Sequence, residues 1–217
     1  MAQDLDEAFF NYGTLLTEVH YAIGGILISH RATQAKIDEM LQFSWHDPKS
    51  GRWINKQRMK QLGGSIMSFQ RFVKLNSISS IANFLESFHT DIKRTVAHDL
   101  DIWDPSNDSL PHIEDARMSH ALTNVIKHNQ AVIQRSTSTS ARYLVDHCAF
   151  HDGIPVELAP VDVETVLLHI YIFALAVIQK VISVKIPLLA KSPSAQRQAF
   201  ESLVPEVTRL SKRLRGA

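Results

Sequence analysis

Histidines with amide and arginine neighbours are concentrated between residues 119 and 182, where their spacing could support acid–base chemistry. Asn124 and His128 are four residues apart and His120 lies one turn earlier, so a helix would place all three on one face. A histidine titrates near a pKa of about 6.5, which suits a general acid or a general base. The alternative interpretation is that these side chains form only the solvated edge of a helix.

A second pattern has an arginine and a histidine separated by four residues, Arg142 and His147. In this arrangement Arg142 would hold a phosphate while His147 activated a ribose 2′-hydroxyl, which is the chemistry of metal-independent RNA cleavage. The same spacing also arises by chance in a chain with 11 histidines. A structural alternative is an ion pair between Arg142 and Asp146, which would be four residues apart on a helix.

The segment Asn124–Asn129, followed by a turn and a long apolar helix, resembles the signature region of the HEPN superfamily. This resemblance covers the C-terminal half and implies a small helical bundle, often dimeric, of bacterial toxin–antitoxin and phage-defence systems. Many members are metal-independent ribonucleases with an Arg-x4-6-His motif in which a polar residue follows the arginine. Here Asn124 and His128 match the polar residue and the histidine, but Thr123 stands where the arginine would be. Threonine cannot neutralise a phosphate, so this departure favours binding over catalysis.

Other reactive side chains have simpler interpretations. His147, Cys148, His151 and Asp152 lie close together, but no second cluster has zinc-like spacing, so we expect no metal and no cofactor. The single cysteine fits a reducing compartment and a small buried apolar role. His169 is expected to be a hydrogen-bonded core or interface histidine. The basic end of the chain suits the negative end of a helix dipole, with RNA contact as the alternative. Its cations are Arg209, Lys212, Arg213 and Arg215.

Helices must position these residues, because glycine and proline are few and apolar residues recur at spacings of three and four. The sequence predicts an all-α fold, a helical bundle in one domain over residues 1–217, with the very apolar helix Val163–Ile182 at its centre. The apolar run inside that helix is interrupted by His169 and is shorter than the roughly 20 residues that cross a bilayer, so we expect a core helix. Further helices are predicted over residues 5–43, 55–75, 81–100, 112–133, 141–148 and 195–214.

Local features refine these boundaries. The pair Gly24–Gly25 marks either a break between two helices or a point of close helix–helix approach. Ser77 or Ser79 could cap the helix over residues 81–100. The hydroxyl-rich segment Ser136–Ser140 ends the helix before it, because such side chains compete for backbone hydrogen bonds.

The predicted location and function follow from these observations. The acidic start, Asp4–Glu7, lacks the basic region of a secretory signal, so we expect a cytoplasmic protein. A net charge of +1 implies no general attraction to nucleic acid or to an anionic membrane, although a local basic cluster could still matter. The favoured function is a HEPN-like, non-catalytic binding or regulatory module of a bacterial-type defence or toxin–antitoxin system. It would be a homodimer with RNA or a protein as its partner.

Two alternatives stay open. One is a metal-independent endoribonuclease that uses Arg142 and His147. In this alternative, Asn124 and His128 would join the site from the same or a partner subunit. The other alternative is a purely structural helical adaptor.

Overall fold

The computed structural model is all-α, as the sequence predicts, apart from one very short pair of strands. It describes residues 2–41, 47–95, 101–104 and 108–185. The helix predicted over residues 195–214, with its basic end, lies outside the described residues. The elements in chain order are α1 (Ala2–Leu41), α2 (Arg52–Thr95), α3 (Ile113–His128), β1 (Val132–Ile133), α4 (Thr139–His147), β2 (Ile154–Pro155), a 3-10 turn (Val156–Leu158) and α5 (Val163–Lys185).

The chain forms two compact units, each built from parts of several helices. One comprises residues 21–86 and 114–167, and the other comprises residues 1–20, 87–113 and 168–217. All four candidate catalytic residues belong to the first of these, which we call the site unit. A single domain over residues 1–217 stays a prediction from the sequence.

The core of the site unit forms where apolar side chains of α2, α3, α4 and the strand pair meet. α4 contributes Ala141 and Leu144, which are three residues apart and fully buried. Helices this short are marginal in isolation, so the burial of these side chains stabilises α4 more than its own propensity does. The buried members of this core are Ile78, Ala121, Leu122, Val125, Ile133, Ala141, Leu144, Phe150, Val156 and Ala159.

α1 continues through Gly24 and Gly25, so the predicted break between two helices is wrong. A Cβ atom built on either glycine would meet nothing within 4 Å among the described residues, so the alternative of a close helix approach is wrong there too. A glycine in a helix costs roughly 1 kcal/mol relative to alanine. Burial of the apolar side of α1, which includes Ile23 and Leu27, offsets that cost.

α2 is one helix of 44 residues, where the sequence predicted two separate helices. Ser77 and Ser79 lie inside α2, so the predicted cap is wrong. Ser77 is buried, and its Oγ lies 3.0 Å from Nδ1 of His30 on α1. Because this hydroxyl has a partner on another helix, it does not compete for the backbone hydrogen bonds of α2.

α3 ends at His128, well before the predicted end near Ile133. Gln130 and Ala131 adopt positive φ angles of 53° and 58°. The N–H of Ala131 donates to the carbonyl of Val125 at 3.3 Å, a helix-ending pattern that is usually built on glycine. Non-glycine residues therefore end this helix.

A two-residue strand pair, which the sequence did not predict, follows α3. β1 pairs antiparallel with β2, so that Val132 lies opposite Pro155 and Ile133 lies opposite Ile154. The N–H of Gly153 also donates to the carbonyl of Ile133 at 2.7 Å. These bonds join the two ends of the segment that contains α4 and hold α4 against α3.

α5 is long and apolar. Within the described residues it is the one helix long and apolar enough to cross a bilayer, over Val163–Val181, with a mean hydropathy of 1.5 and half of that window buried. The core helix of a soluble protein passes the same test. Leu167, Ile170 and Phe173 are fully or almost fully buried at spacings of three, which agrees with the predicted core helix.

Candidate functional site

The four candidate residues lie on two neighbouring helices of the site unit. Asn124 and His128 belong to α3, and Arg142 and His147 belong to α4. The amide Nδ2 of Asn124 donates a hydrogen bond of 3.3 Å to Oγ of Ser140. The structure thus joins α3 to the first turn of α4 at Asn124, while the other three candidate side chains are exposed.

Asn129, directly after α3, fixes the start of α4. Its Nδ2 donates to Oγ1 of Thr137 at 2.8 Å and to Oγ of Ser138 at 2.9 Å. Ser138 in turn caps α4 by accepting the N–H of Ala141 at 3.1 Å. The hydroxyl-rich segment therefore leads into the next helix. The sequence signal for this role was an asparagine shortly before a run of hydroxyl side chains.

Arg142 and His147 do not share a face of α4. Five positions rotate a helix by roughly 140°, so their side chains leave the helix in different directions. The ring of His147 stacks on that of Tyr143, with centroids 5.3 Å apart. Asp146 accepts hydrogen bonds from Nε and Nη2 of Arg135 at 2.8 and 3.2 Å. The predicted pair between Arg142 and Asp146 is therefore replaced by one from the loop before α4.

Thr123, which stands where the motif compared above has an arginine, is fully buried. Its hydroxyl donates a hydrogen bond of 3.4 Å to the carbonyl oxygen of Ile78 on α2. Its neighbours Leu122 and Val125 belong to the apolar core. A charged side chain at this position would have to leave water without a partner.

Carboxylates lie close to two cations near the candidate residues, Arg135 and Lys127. The guanidinium of Arg135 hydrogen-bonds Asp146 and lowers the pKa of that carboxyl. The backbone N–H of Arg135 donates to Oδ1 of Asp152 at 2.7 Å. On α3, Nζ of Lys127 lies 3.9 Å from Oε1 of Glu86. These pairs reduce the positive potential that a phosphate would meet around α3 and α4.

The thiol of Cys148 lies in a half-buried group with Tyr143. The hydroxyl of Tyr143 donates to Oε2 of Glu114 on α3 at 2.6 Å. Burial is the largest cause that raises the pKa of Tyr143, and the bond to Glu114 adds to it. Burial also raises the pKa of the Cys148 thiol. Because the thiolate is the nucleophile, a raised pKa argues against a nucleophilic role near neutral pH.

The sequence also singled out His151 and His169. His147 is the last residue of α4 and the chain turns before Gly153, so His147 and His151 do not share a helical face. On α5, the ring of His169 stacks on that of His112, with centroids 3.9 Å apart.

A second polar cluster, which the sequence did not indicate, joins α1, α2 and the start of α5. Nε and Nη2 of Arg31 donate to the two carboxylate oxygens of Glu164 at 2.9 and 2.8 Å. The neighbouring His30 faces Ser77, and burial lowers the pKa of His30, opposed by the charges of Glu164 and Asp162. Arg31 in turn lowers the pKa of Glu164 through their hydrogen bonds.

Ser77, His30 and Glu164 are the residue types of a hydrolytic triad, but their surroundings are not those that such a site needs. Ser77 is only 4% exposed, and it lies in the middle of α2. The N–H groups near it donate within the helix, so they cannot form an oxyanion hole. The carboxylate of Glu164 binds Arg31 rather than histidine. The arrangement is that of a structural clamp.

No family model, curated protein or solved structure matches the chain. The polar groups where α3 meets α4 mainly bond one another and fix the helix ends, whereas His128, Arg142 and His147 project into solvent.

Proposed function

We propose that the protein is a non-catalytic binding or regulatory module, HEPN-like in the segment Asn124–Asn129, of a bacterial-type defence or toxin–antitoxin system. The burial of Thr123 carries this proposal. In the ribonuclease motif an arginine would act from this position, whereas Thr123 gives its hydroxyl to the carbonyl of Ile78. The proposal also includes a cytoplasmic homodimer.

The rival function, a metal-independent endoribonuclease, needs a cation and a base directed at one phosphodiester. Arg142 and His147 leave α4 in directions roughly 140° apart, which does not favour a shared target. Asn124 uses its amide to hold Ser140, so its contribution to the site is positional. These arrangements support binding over cleavage.

The test is cleavage of a mixed RNA pool in EDTA by the full chain. Wild type is compared with His128→Ala, Arg142→Ala and His147→Ala, and each variant is checked for native helicity. Lys127→Ala, an exposed cation beside His128, is the matched control. We expect no cleavage by any of them. Cleavage by wild type that disappears in one folded variant, but not in Lys127→Ala, would overturn the proposal.

A structural adaptor would also leave RNA intact, so the absence of cleavage does not separate it from a binding module. A binding module differs from a structural adaptor because it needs a surface whose chemistry selects a ligand. The candidate for such a surface is on α2.

A further inference from the structure

Every charged side chain between Pro48 and Leu85 is basic, although the net charge of the whole chain is only +1. Most of this run belongs to α2. The first half of α2 therefore carries a local positive charge that the composition of the chain conceals. The cations are Lys49, Arg52, Lys56, Arg58, Lys60, Arg71 and Lys74.

Three of these cations follow one face of α2. Arg52, Lys56 and Lys60 succeed one another at four-residue intervals, so each is rotated by roughly 40° and displaced by about 6 Å from the one before. We call these three residues the basic stripe. Gly63 and Gly64 come next, and a Cβ on either would meet nothing within 4 Å among the described residues.

The basic stripe belongs to the part of this positive charge that is not neutralised by a nearby carboxylate among the described residues. Nη1 of Arg58 lies 3.5 Å from Oδ2 of Asp47, and Nε of Arg71 lies 3.9 Å from Oε1 of Glu157. The three stripe residues, by contrast, are exposed and have no hydrogen-bond or ion-pair partner in residues 13–40, 47–94, 101–104 and 108–181.

A large aromatic side chain lies beside the stripe. Trp53 is 70% exposed, and it is seven residues from Lys60, nearly two helical turns, so the two share a side of α2. Ile66 and Val73 of α2 pack with Ile37 of α1. They are rotated by roughly 120–160° from Lys60 and Trp53, so these two side chains are directed away from that core, whereas the exposed Arg52 lies at its edge, roughly 40–60° away.

We propose that the basic stripe and Trp53 form a binding surface for single-stranded nucleic acid. Cations at regular intervals suit successive phosphates, and an exposed indole suits stacking on a base. Stacking favours a single strand, because the bases of a duplex are stacked on one another and hide their faces. This inference rests on the proposed non-catalytic binding function and names the chemical class of the partner.

An anionic membrane is the main alternative for a basic helix. A helix that lies in a membrane surface buries a broad apolar face in lipid. α2 uses Ile66 and Val73 for contact with α1 instead. α2 also exposes large apolar side chains, but at roughly 100° per residue they are spread around the helix and form no single broad apolar face. They are Trp53, Ile54, Met59, Met67, Phe69 and Phe72. Polyanion binding therefore fits the stripe better than lipid insertion.

The experiment measures fluorescence anisotropy of labelled oligouridylate and oligothymidylate, each of about 20 nucleotides, with the full chain in EDTA. The first variant is Arg52→Gln/Lys56→Gln/Lys60→Gln. Its control removes the same charge from exposed positions on other helices or further along α2, in Lys36→Gln/Arg94→Gln/Lys127→Gln.

A second pair of variants tests stacking. Trp53→Ala removes the indole beside the stripe. Phe72→Ala removes an aromatic side chain that is 64% exposed on a different side of the same helix. Vesicles containing phosphatidylserine, in a sedimentation assay with the same proteins, form the membrane arm.

We expect wild type and the charge-matched control to bind both oligonucleotides. The stripe variant should bind at least about tenfold more weakly, and its slope of log affinity against log salt should be shallower by about 2, because each phosphate contact on a single strand contributes about 0.7. Trp53→Ala should weaken binding by about 5- to 100-fold, and Phe72→Ala should not. Binding of oligouridylate but not of oligothymidylate would keep the site and identify RNA as the class of single strand that it takes.

Three outcomes would overturn the inference: no binding by wild type, equal losses in the two charge-removed variants, or stripe-dependent binding to vesicles alone. Gel analysis of the recovered oligouridylate separates this inference from the proposed function. Cleaved RNA would refute the non-catalytic function, whereas the dependence of binding on the stripe would still decide the inference.

Discussion

Replacing Thr123 with arginine would supply the arginine of the Arg-x4-6-His motif that this segment resembles, and it would put a guanidinium into the core of the site unit. Thr123 has no exposed surface, and Leu122, Val125 and Ile78 around it are buried. Ile78 offers a carbonyl oxygen at 3.4 Å, but this is one neutral acceptor for a group with five donors. The structure therefore predicts that Thr123→Arg unfolds the protein rather than activating it.

The magnitude follows from three costs. An unpaired buried charge destabilises by about 3–5 kcal/mol. Overpacking of a filled core adds about 1–3 kcal/mol. Loss of the hydroxyl hydrogen bond adds about 1 kcal/mol. Together they come to about 5–9 kcal/mol, against a typical total stability of about 5–15 kcal/mol. Thr123→Val keeps the shape of the side chain and should cost only about 1 kcal/mol.

The assay is urea unfolding followed by circular dichroism, with the slope against urea compared among variants. His128→Arg is the control, because it adds an arginine at an exposed site in the last turn of α3, where a cation suits the helix dipole. Its stability should stay within about 0.5 kcal/mol of wild type. If Thr123→Arg kept the wild-type midpoint, residue 123 would face a polar space, and our argument against catalysis would fail.

Further predictions concern the polar cluster and the α4 cap. Because burial holds the pKa of His30 below its usual value, the unfolded chain binds its proton more readily, and His30 makes stability fall as pH drops below about 6.5. Urea unfolding at about pH 7 and about pH 5 should therefore show a smaller loss in His30→Gln than in wild type; an equal loss would contradict this. A double-mutant cycle with Arg31→Gln and Glu164→Gln should give a coupling of about 0.5–1 kcal/mol that shrinks with salt, since both side chains are partly exposed; zero coupling at low salt would refute the clamp. Ser138→Ala should cost about 1 kcal/mol through loss of the α4 cap, whereas the exposed Ser136→Ala should cost less than about 0.5 kcal/mol.

The helical class and the apolar stripes could be predicted from the sequence, because periodicity of buried side chains is a local signal. Two helix boundaries could not. The sequence predicts Ser77 as a helix cap, but its hydroxyl contacts His30 of another helix, and the sequence does not reveal that contact. The end of α3 depends on Gln130 and Ala131 adopting positive φ, a conformation that residue type predicts for glycine rather than for these two.

The candidate site could also be predicted from the sequence only in part. The sequence predicted that the hydroxyl-rich segment Ser136–Ser140 ends the helix before it, but α3 already ends at His128, and Ser138 caps α4 instead. The partner of Asp146 could not be predicted, because Arg135 reaches it from the loop before α4 and not from the next helical turn. The burial of Thr123 is also set by contacts distant in sequence, through the carbonyl of Ile78.

The net charge of the whole chain also does not reveal the local positive charge of α2. A balance of +1 argues against attraction to nucleic acid only if opposite charges are near enough to cancel. Salt at about 0.1 M screens exposed charges beyond about 10 Å, so carboxylates farther away than that do not neutralise a cation on α2. Arg52, Lys56 and Lys60 span about 12 Å along the helix. The carboxylate that precedes them, Asp47, pairs with Arg58 at 3.5 Å, and no carboxylate follows in the sequence until Glu86. A phosphate at the stripe therefore meets these three cations and not the average of the chain.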